Sequence, residues 1–367
     1  MRNFTKSLSL LCALCSISIF SASAQFSPEV NVGLLSHMYV KSQQLGYGSY
    51  TASEDNSDYA GGVGINHMRI MFDAQLTEKD FLFVQTESTA LLGTDGEKTA
   101  DIRLLDIMYT HKFNNSFNLW AGKILAAYNR NNIQGTGTLL ANDFGTFQCE
   151  WNGAMGDDAG RSIGVGLGGG FFEDKLIYSI NALLGHKFAG EDGEDVGYRE
   201  SPMRYMGRLQ YNIFDCDKYA GSNLGEGKTL TFGLGFDTQG AYVNGGIDAY
   251  FDMPVGALGS LTVNLAYSAM TGGDETDKYY VEGVPAKDVY FAELGYYFND
   301  TKLQPWVKYE LMSEKHGGVD DSIYGGGLSY FFGGYKANLK LAYTLRENSI
   351  INKTYGQAIL ALHLFIL

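Results

Sequence analysis

Apolar and polar residues alternate along most of this chain. In segment 337–346, Leu339, Leu341, Tyr343 and Leu345 share one parity, and Asn338, Lys340, Thr344 and Arg346 take the other. A β-strand sends successive side chains to opposite faces, so such a segment has one oily face and one wet face. The texture recurs far upstream. Met68, Ile70, Phe72, Ala74 and Leu76 oppose His67, Arg69, Asp73 and Gln75, and Tyr205, Leu209 and Tyr211 oppose Arg204, Arg208, Gln210 and Asn212. Alternation and turn punctuation predict strands near 29–42, 62–76, 81–91, 102–113, 117–125, 161–171, 176–188, 203–214, 229–240, 244–255, 261–271, 287–298, 303–314, 322–332, 337–347 and 355–367. The first and fifth carry the weakest pattern.

The connections alternate in length. Short polar turns at 77–80, 114–116, 173–175, 299–302 and 333–336 interleave with long acidic or Gly-rich stretches at 43–61, 92–101, 126–160, 189–202 and 272–286. Two break the rule: 215–228 is long where a turn is due, and 241–243 is short where a loop is due. A hairpin miscounted there gives fourteen or eighteen strands.

An Arg held against lipid at mid-bilayer costs roughly 2–4 kcal/mol in a barrel, so the charged parity is expected inward. Aromatics near the turns (Phe81, Phe83, Phe113, Phe117, Phe171, Phe172, Phe298, Phe331, Phe332) suit an interfacial girdle. The pattern predicts an all-β fold: a transmembrane antiparallel β-barrel of sixteen strands around an aqueous lumen. A soluble β-sandwich, with alternation reflecting one buried face, is the alternative.

Residues 1–24 read as a secretory signal peptide, with Arg2 and Lys6, an apolar run 8–20, and Ala22-Ser23-Ala24 as cleavage site. Residues 25–367 then form the barrel, exported to the outer membrane of a Gram-negative bacterium and surrounded by its lipids. Removing Arg2 and Lys6 from 27 basic residues leaves 25 against 41 acidic, a net charge of −16. That charge argues against nucleic acid as a partner. Cys149 and Cys216 remain in the mature chain, and either a disulfide or two separate thiols fits an exported protein.

Segments 68–76 (Met-Arg-Ile-Met-Phe-Asp-Ala-Gln-Leu), 81–87, 106–109 and 119–123 (Leu-Trp-Ala-Gly-Lys) resemble the early hairpins of the phosphate-selective porin O/P family. Gly207-Arg208-Leu209-Gln210-Tyr211 resembles that family's later G-R-L-x-Y strand. The resemblance implies a sixteen-stranded barrel, usually a homotrimer, that conducts small solutes passively, with a loop folded into the pore. The chain departs from the pattern in its charges. Loop 126–160 carries only Arg130, flanked by Lys123 and Arg161, against Asp143, Glu150, Asp157 and Asp158. Phosphate selectivity is therefore not expected. The last residue is Leu367, where an aromatic is commoner, with Phe365 nearby.

A pore selects by diameter and by the charges that line it. Loop 126–160 is the candidate constriction, with Asn131, Asn132, Asp143, Glu150, Asp157 and Asp158 facing the passage and Leu139, Leu140, Phe144 and Phe147 packing on the wall. An external loop shielding the mouth is the alternative. Arg69, Lys123, Arg130, Arg204 and Arg208 are candidates for the basic side of the lumen, with Asp73, Glu87 and Asp106 opposite, or else solvated residues pairing across strands. The acidic clusters 54–58, 191–195 and 273–277 lack calcium-loop spacing and read as solvated loops. The glycines of 164–168 hold fragments of a dinucleotide pattern but lie on a strand without a following helix, where small residues on a barrel wall explain them better. No metal, cofactor or enzymatic motif is expected. The reading is a porin passing small hydrophilic solutes or ions, with weak cation preference or little selectivity; the rival is a non-conducting barrel acting as adhesin, receptor or anchor through its long loops.

Overall fold

A computed structural model describes residues 27–48, 55–92, 98–126, 128–156, 160–188, 201–274, 276–281, 284, 286–315, 318 and 320–366. The leader, the acidic cluster 191–195 and the pair Asp157–Asp158 lie outside the described residues. Sixteen strands close into one antiparallel barrel. They are β1 (Glu29–Gln44), β2 (Tyr59–Gln75), β3 (Asp80–Leu92), β4 (Lys98–Asn114), β5 (Phe117–Leu125), β6 (Arg161–Phe171), β7 (Leu176–Leu183) and β8 (Arg204–Asn212) in the first half. The second half holds β9 (Thr229–Gln239), β10 (Tyr242–Pro254), β11 (Gly259–Thr271), β12 (Lys287–Phe298), β13 (Leu303–Glu314), β14 (Asp321–Tyr330), β15 (Ala337–Asn348) and β16 (Lys353–Ile366). Each strand pairs with its sequence neighbours, and β1 closes the ring on β16 from Leu34↔Ile366 to Gln43↔Gln357. Closure leaves no free edge and overturns the sandwich alternative. All sixteen expected strands are present, including the first and fifth.

The two irregular connections are real features. β9 and β10 meet at Gly240–Ala241, where Gly240 has φ +60°, a left-handed conformation that glycine adopts without a Cβ penalty. The long 213–228 connection folds back into the barrel mouth.

Parity assigns the faces as expected. In β15, Lys340 is fully buried whereas Leu341 and Tyr343 are 56% and 53% exposed. Tyr205, Leu209, Tyr211, Phe232, Leu234 and Phe236 also lie on the outer surface. Phe113, Phe117, Phe171, Phe172, Phe298 and Phe332 are exposed, as a girdle requires. Phe331 departs from that expectation. It is fully buried, edge-on to Tyr297 and Tyr335, and sits near the Lys340 ammonium. Phe81 and Phe83 also leave the girdle, since they pair across with Gln75 and Asp73 on the lumenal parity of Arg69.

The interior is largely filled. The described part of loop 126–160, residues 128–156, enters the lumen and carries two helices, α1 (Arg130–Ile133) and α2 (Thr146–Met155). Asn129 caps α1 by accepting from the Asn132 amide at 3.0 Å. The apolar residues of the loop bury as expected. Leu140 and Ala141 pack with Trp306 and Ala342, and Phe147 joins Val289, Met312, Ile323 and Tyr242. Each such Leu or Phe contributes about 1.5–3 kcal/mol when fully withdrawn from water. The alternative of an external loop is overturned.

Candidate functional site

Polar anchors hold the loop across the lumen. On the β12–β15 side, the Phe147 amide donates to Glu310 Oε2 (3.1 Å), and Lys308 Nζ donates to the Phe144 carbonyl (3.1 Å). Ser329 Oγ donates to the Leu140 carbonyl (2.9 Å), and the buried Lys340 ammonium donates to the carbonyls of Leu139 and Ala141. On the β9–β11 side, the Arg130 amide donates to Asp248 and Asn264 donates to Asn131. Across the barrel, Arg69 Nη1 reaches Thr136 Oγ1 at 2.8 Å. Buried donors and acceptors are costly when unpaired, so this network fixes the loop's position as well as holding it.

The 213–228 connection meets the loop from the opposite end. Arg130 is fully buried, bonding Asp217 through Nε (2.6 Å) and Nη2 (3.0 Å), donating to the Ala220 carbonyl, and lying 3.4 Å from the Tyr250 ring centroid. The Gly221 amide donates to the Thr138 carbonyl at 2.6 Å, and the Gly135 amide to the Tyr219 carbonyl at 3.1 Å.

Between loop and wall remains a cavity of about 530 Å³. The β2–β4 wall contributes Asn66, His67, Arg69, Glu87 and Arg103, with Arg161 from the start of β6; the loop contributes Asn131, Asn132, Gln134, Thr136, Asp143–Thr146 and Cys149. Glu87 organises the wall. Its carboxylate meets His67 Nδ1 at 2.6 Å, Arg69 at 2.9 Å and Arg103 at 3.2 Å. Arg161 Nε bonds Asp106 at 3.2 Å.

The expected site residues distribute unevenly. Arg69, Glu87, Asn131, Asn132 and Asp143 line the cavity, and Asp106 lies behind it through Arg161. Glu87 and Asp106 do not oppose the arginines from a facing wall; they are their neighbours on the same wall. Among the described residues, Asp143 alone faces them from the loop. Asp73 lies further along β2, exposed and on the parity of Arg69. Glu150 lies within α2. Lys123 corrects the expectation: it shares the outward parity of Leu119, pairs with the exposed Ile107 and Ile163, and donates to the Leu104 carbonyl.

Arg130, Arg204 and Arg208 do point inward, but into sealed ion pairs. Arg204 binds both oxygens of Asp237 (2.7 and 2.6 Å) and is fully buried, and Arg208 is clamped on Asp248. Arg103, Asp217, Lys308 and Glu310 carry the geometry without having been singled out from the sequence, and the sequence places His67 and Lys340 on the polar parity without a role at the site. Cys149 and Cys216 are both free thiols. Among the described residues no group of His, Cys, Asp and Glu could hold a metal ion.

No protein-family model matches the chain, and no curated protein sequence matches it. Solved structures do resemble it. An anion-selective porin from Comamonas acidovorans superimposes with a TM-score of 0.62 at 11% identity, over 93% of this chain and 100% of that one. Salmonella typhi OmpF, in a complex with daunomycin, gives 0.61 at 13% identity over 92% and 97%. The outer membrane channel DcaP of Acinetobacter baumannii gives 0.56 at 10% identity over 94% and 99%. At these identities the likeness is one of fold. The chain shares the sixteen-stranded barrel fold of these proteins.

Proposed function

We propose that this protein is an outer-membrane porin through which small hydrophilic solutes or ions diffuse passively. One observation carries the reading: a loop crosses the lumen and leaves a charged eyelet between itself and the β2–β4 wall. Outward apolar strands suit lipid, and a closed ring satisfies every wall strand without water. The mature chain then begins after residue 24, enters the outer membrane and assembles as a homotrimer, as the resemblance to phosphate-selective porins implies.

The eyelet argues against strong selectivity. Among the described residues, Arg69, Arg103 and Arg161 are balanced by Glu87 and Asp143 on the lining and Asp106 behind it. A fixed cluster of three guanidinium groups with three carboxylates around it orients dipolar solutes more than it sorts ions by sign. Phosphate selectivity would need cations in excess, and the described residues of the eyelet supply none in excess.

Planar-bilayer recording tests the reading. Purified protein should give discrete, ohmic conductance steps with a reversal potential near zero in a salt gradient. A folded barrel that inserts yet stays electrically silent supports the surface-barrel rival instead.

A further inference from the structure

A second cavity, of about 350 Å³, lies against the β5–β8 wall and meets the eyelet at Leu125, which lines both. This size falls within the range of small-molecule sites. Its floor is the Trp120 indole, laid on the inner face of β6. A Cβ at Gly166 would stand 2.2 Å from the indole nitrogen, and one at Gly168 would stand 2.7 Å from the ring. Gly166 therefore has a purpose on the wall: any larger residue would push the ring off it, whereas one at Gly168 would first meet the Tyr178 carbonyl at 2.4 Å. The indole is fixed there because Nε1–H donates to Asn181 Oδ1 at 2.9 Å.

The polar groups around this floor discriminate between ligands. Both Arg208 amino groups are taken by Asp248 and Gln210, so its charge is neutralised. Arg208 Nε, in a side chain only 4% exposed, has no hydrogen-bond partner, and neither does Asn118 Oδ1. Both residues line the cavity. These leave an unused donor and an unused acceptor beside an aromatic face, with the Ser179 and Tyr219 hydroxyls on the same lining and no net charge. A hydroxyl both donates and accepts, and the C–H face of a sugar ring presents partial positive charge to the negative face of an indole.

We infer that this cavity is a binding subsite for a neutral pyranose sugar, stacked on Trp120 and held through its hydroxyls by Arg208 Nε and Asn118. The inference rests on the channel reading only for how the sugar arrives. It names the solute class that dwells in the passage after the eyelet.

The test uses mature protein in detergent and in planar bilayers, with glucose and maltose as probes. Tryptophan fluorescence should change saturably with sugar, and sugar should reduce or make noisy the ion current. Trp120→Ala removes the reporting indole, so its sugar response is read from the ion current, where the sugar effect should weaken at least tenfold. Gly166→Ala, whose Cβ would meet the indole nitrogen and Asn181 Oδ1, displaces the ring while keeping the indole and should weaken binding comparably. Heat-modifiable migration on gels confirms that each variant is folded; if Trp120→Ala misfolds, Trp120→Phe, with partial loss, replaces it. Conductance steps with no saturable sugar effect overturn the subsite and leave the channel standing. Saturable fluorescence without any conductance upholds the subsite and overturns the channel. Equal sugar affinity in wild type and a folded Trp120 variant overturns the subsite.

Discussion

Asp217→Ala is the perturbation that most exposes how the constriction is held. Arg130 is fully buried, and Asp217 supplies both of its charge-assisted bonds, at 2.6 and 3.0 Å. Deleting one partner of a buried ion pair leaves an uncompensated charge and typically costs about 3–5 kcal/mol. At about 1.4 kcal/mol per decade, that shifts the docked-to-released ratio of the loop's α1 end by roughly two to four decades. The neighbouring bonds, Gly221 to Thr138 and Gly135 to Tyr219, belong to the same two segments and loosen with it. Larger, noisier conductance steps and new protease cleavage between 130 and 138 are the expected result in bilayers and liposomes. The double change Arg130→Met with Asp217→Leu replaces the pair by apolar volume and should restore much of the quiet state. If Asp217→Ala keeps wild-type step size, noise and protease resistance, the claim that the 213–228 connection positions the constriction is refuted.

Other expected outcomes follow from the same geometry. Glu87→Gln removes one of three eyelet carboxylates and should move the reversal potential toward anion preference in a tenfold salt gradient. Lys123→Gln should leave conductance and reversal potential unchanged, because that side chain lies on the outer face. Leu341→Arg should destabilise the barrel by roughly 2–4 kcal/mol if it lies near mid-bilayer, read from guanidinium unfolding in vesicles, because it carries a charge into lipid. Lys340→Met strips the donor from the loop carbonyls of Leu139 and Ala141 and should lower the gel-shift melting temperature without altering the outer surface.

The barrel was legible because period-two alternation is written residue by residue, and closure follows once no strand has an unpaired edge. The eyelet was legible only in part. Arg103 and Asp106 stand three residues apart, which in a regular strand sends them to opposite faces. The irregularity in β4 between Asp106 and Leu104 turns both inward, Arg103 opposite Glu87 and Asp106 opposite Gln85. No local sequence signal marks such a bulge. Lys123 shows the converse: it is among the expected lumenal cations, yet it shares the parity of Leu119 and pairs with the outward Ile107 and Ile163. Asp217 was hidden for a third reason. The length of 215–228 stood out, yet nothing in its composition says that it folds inward onto Arg130. Arg204 and Arg208 were correctly turned to the interior, but parity cannot tell a wet interior from one occupied by a loop.

Charged-reagent block at the constriction tests the central claim most directly. In a Cys149→Ser, Cys216→Ser background, Asp143→Cys puts a single thiol on the loop side of the eyelet. A membrane-impermeant cationic thiol reagent should then cut the single-channel current sharply, while the same reagent on Lys123→Cys leaves it untouched. Stoichiometric labelling of Asp143→Cys, verified by mass, with no change in current would contradict a passage between this loop and the β2–β4 wall.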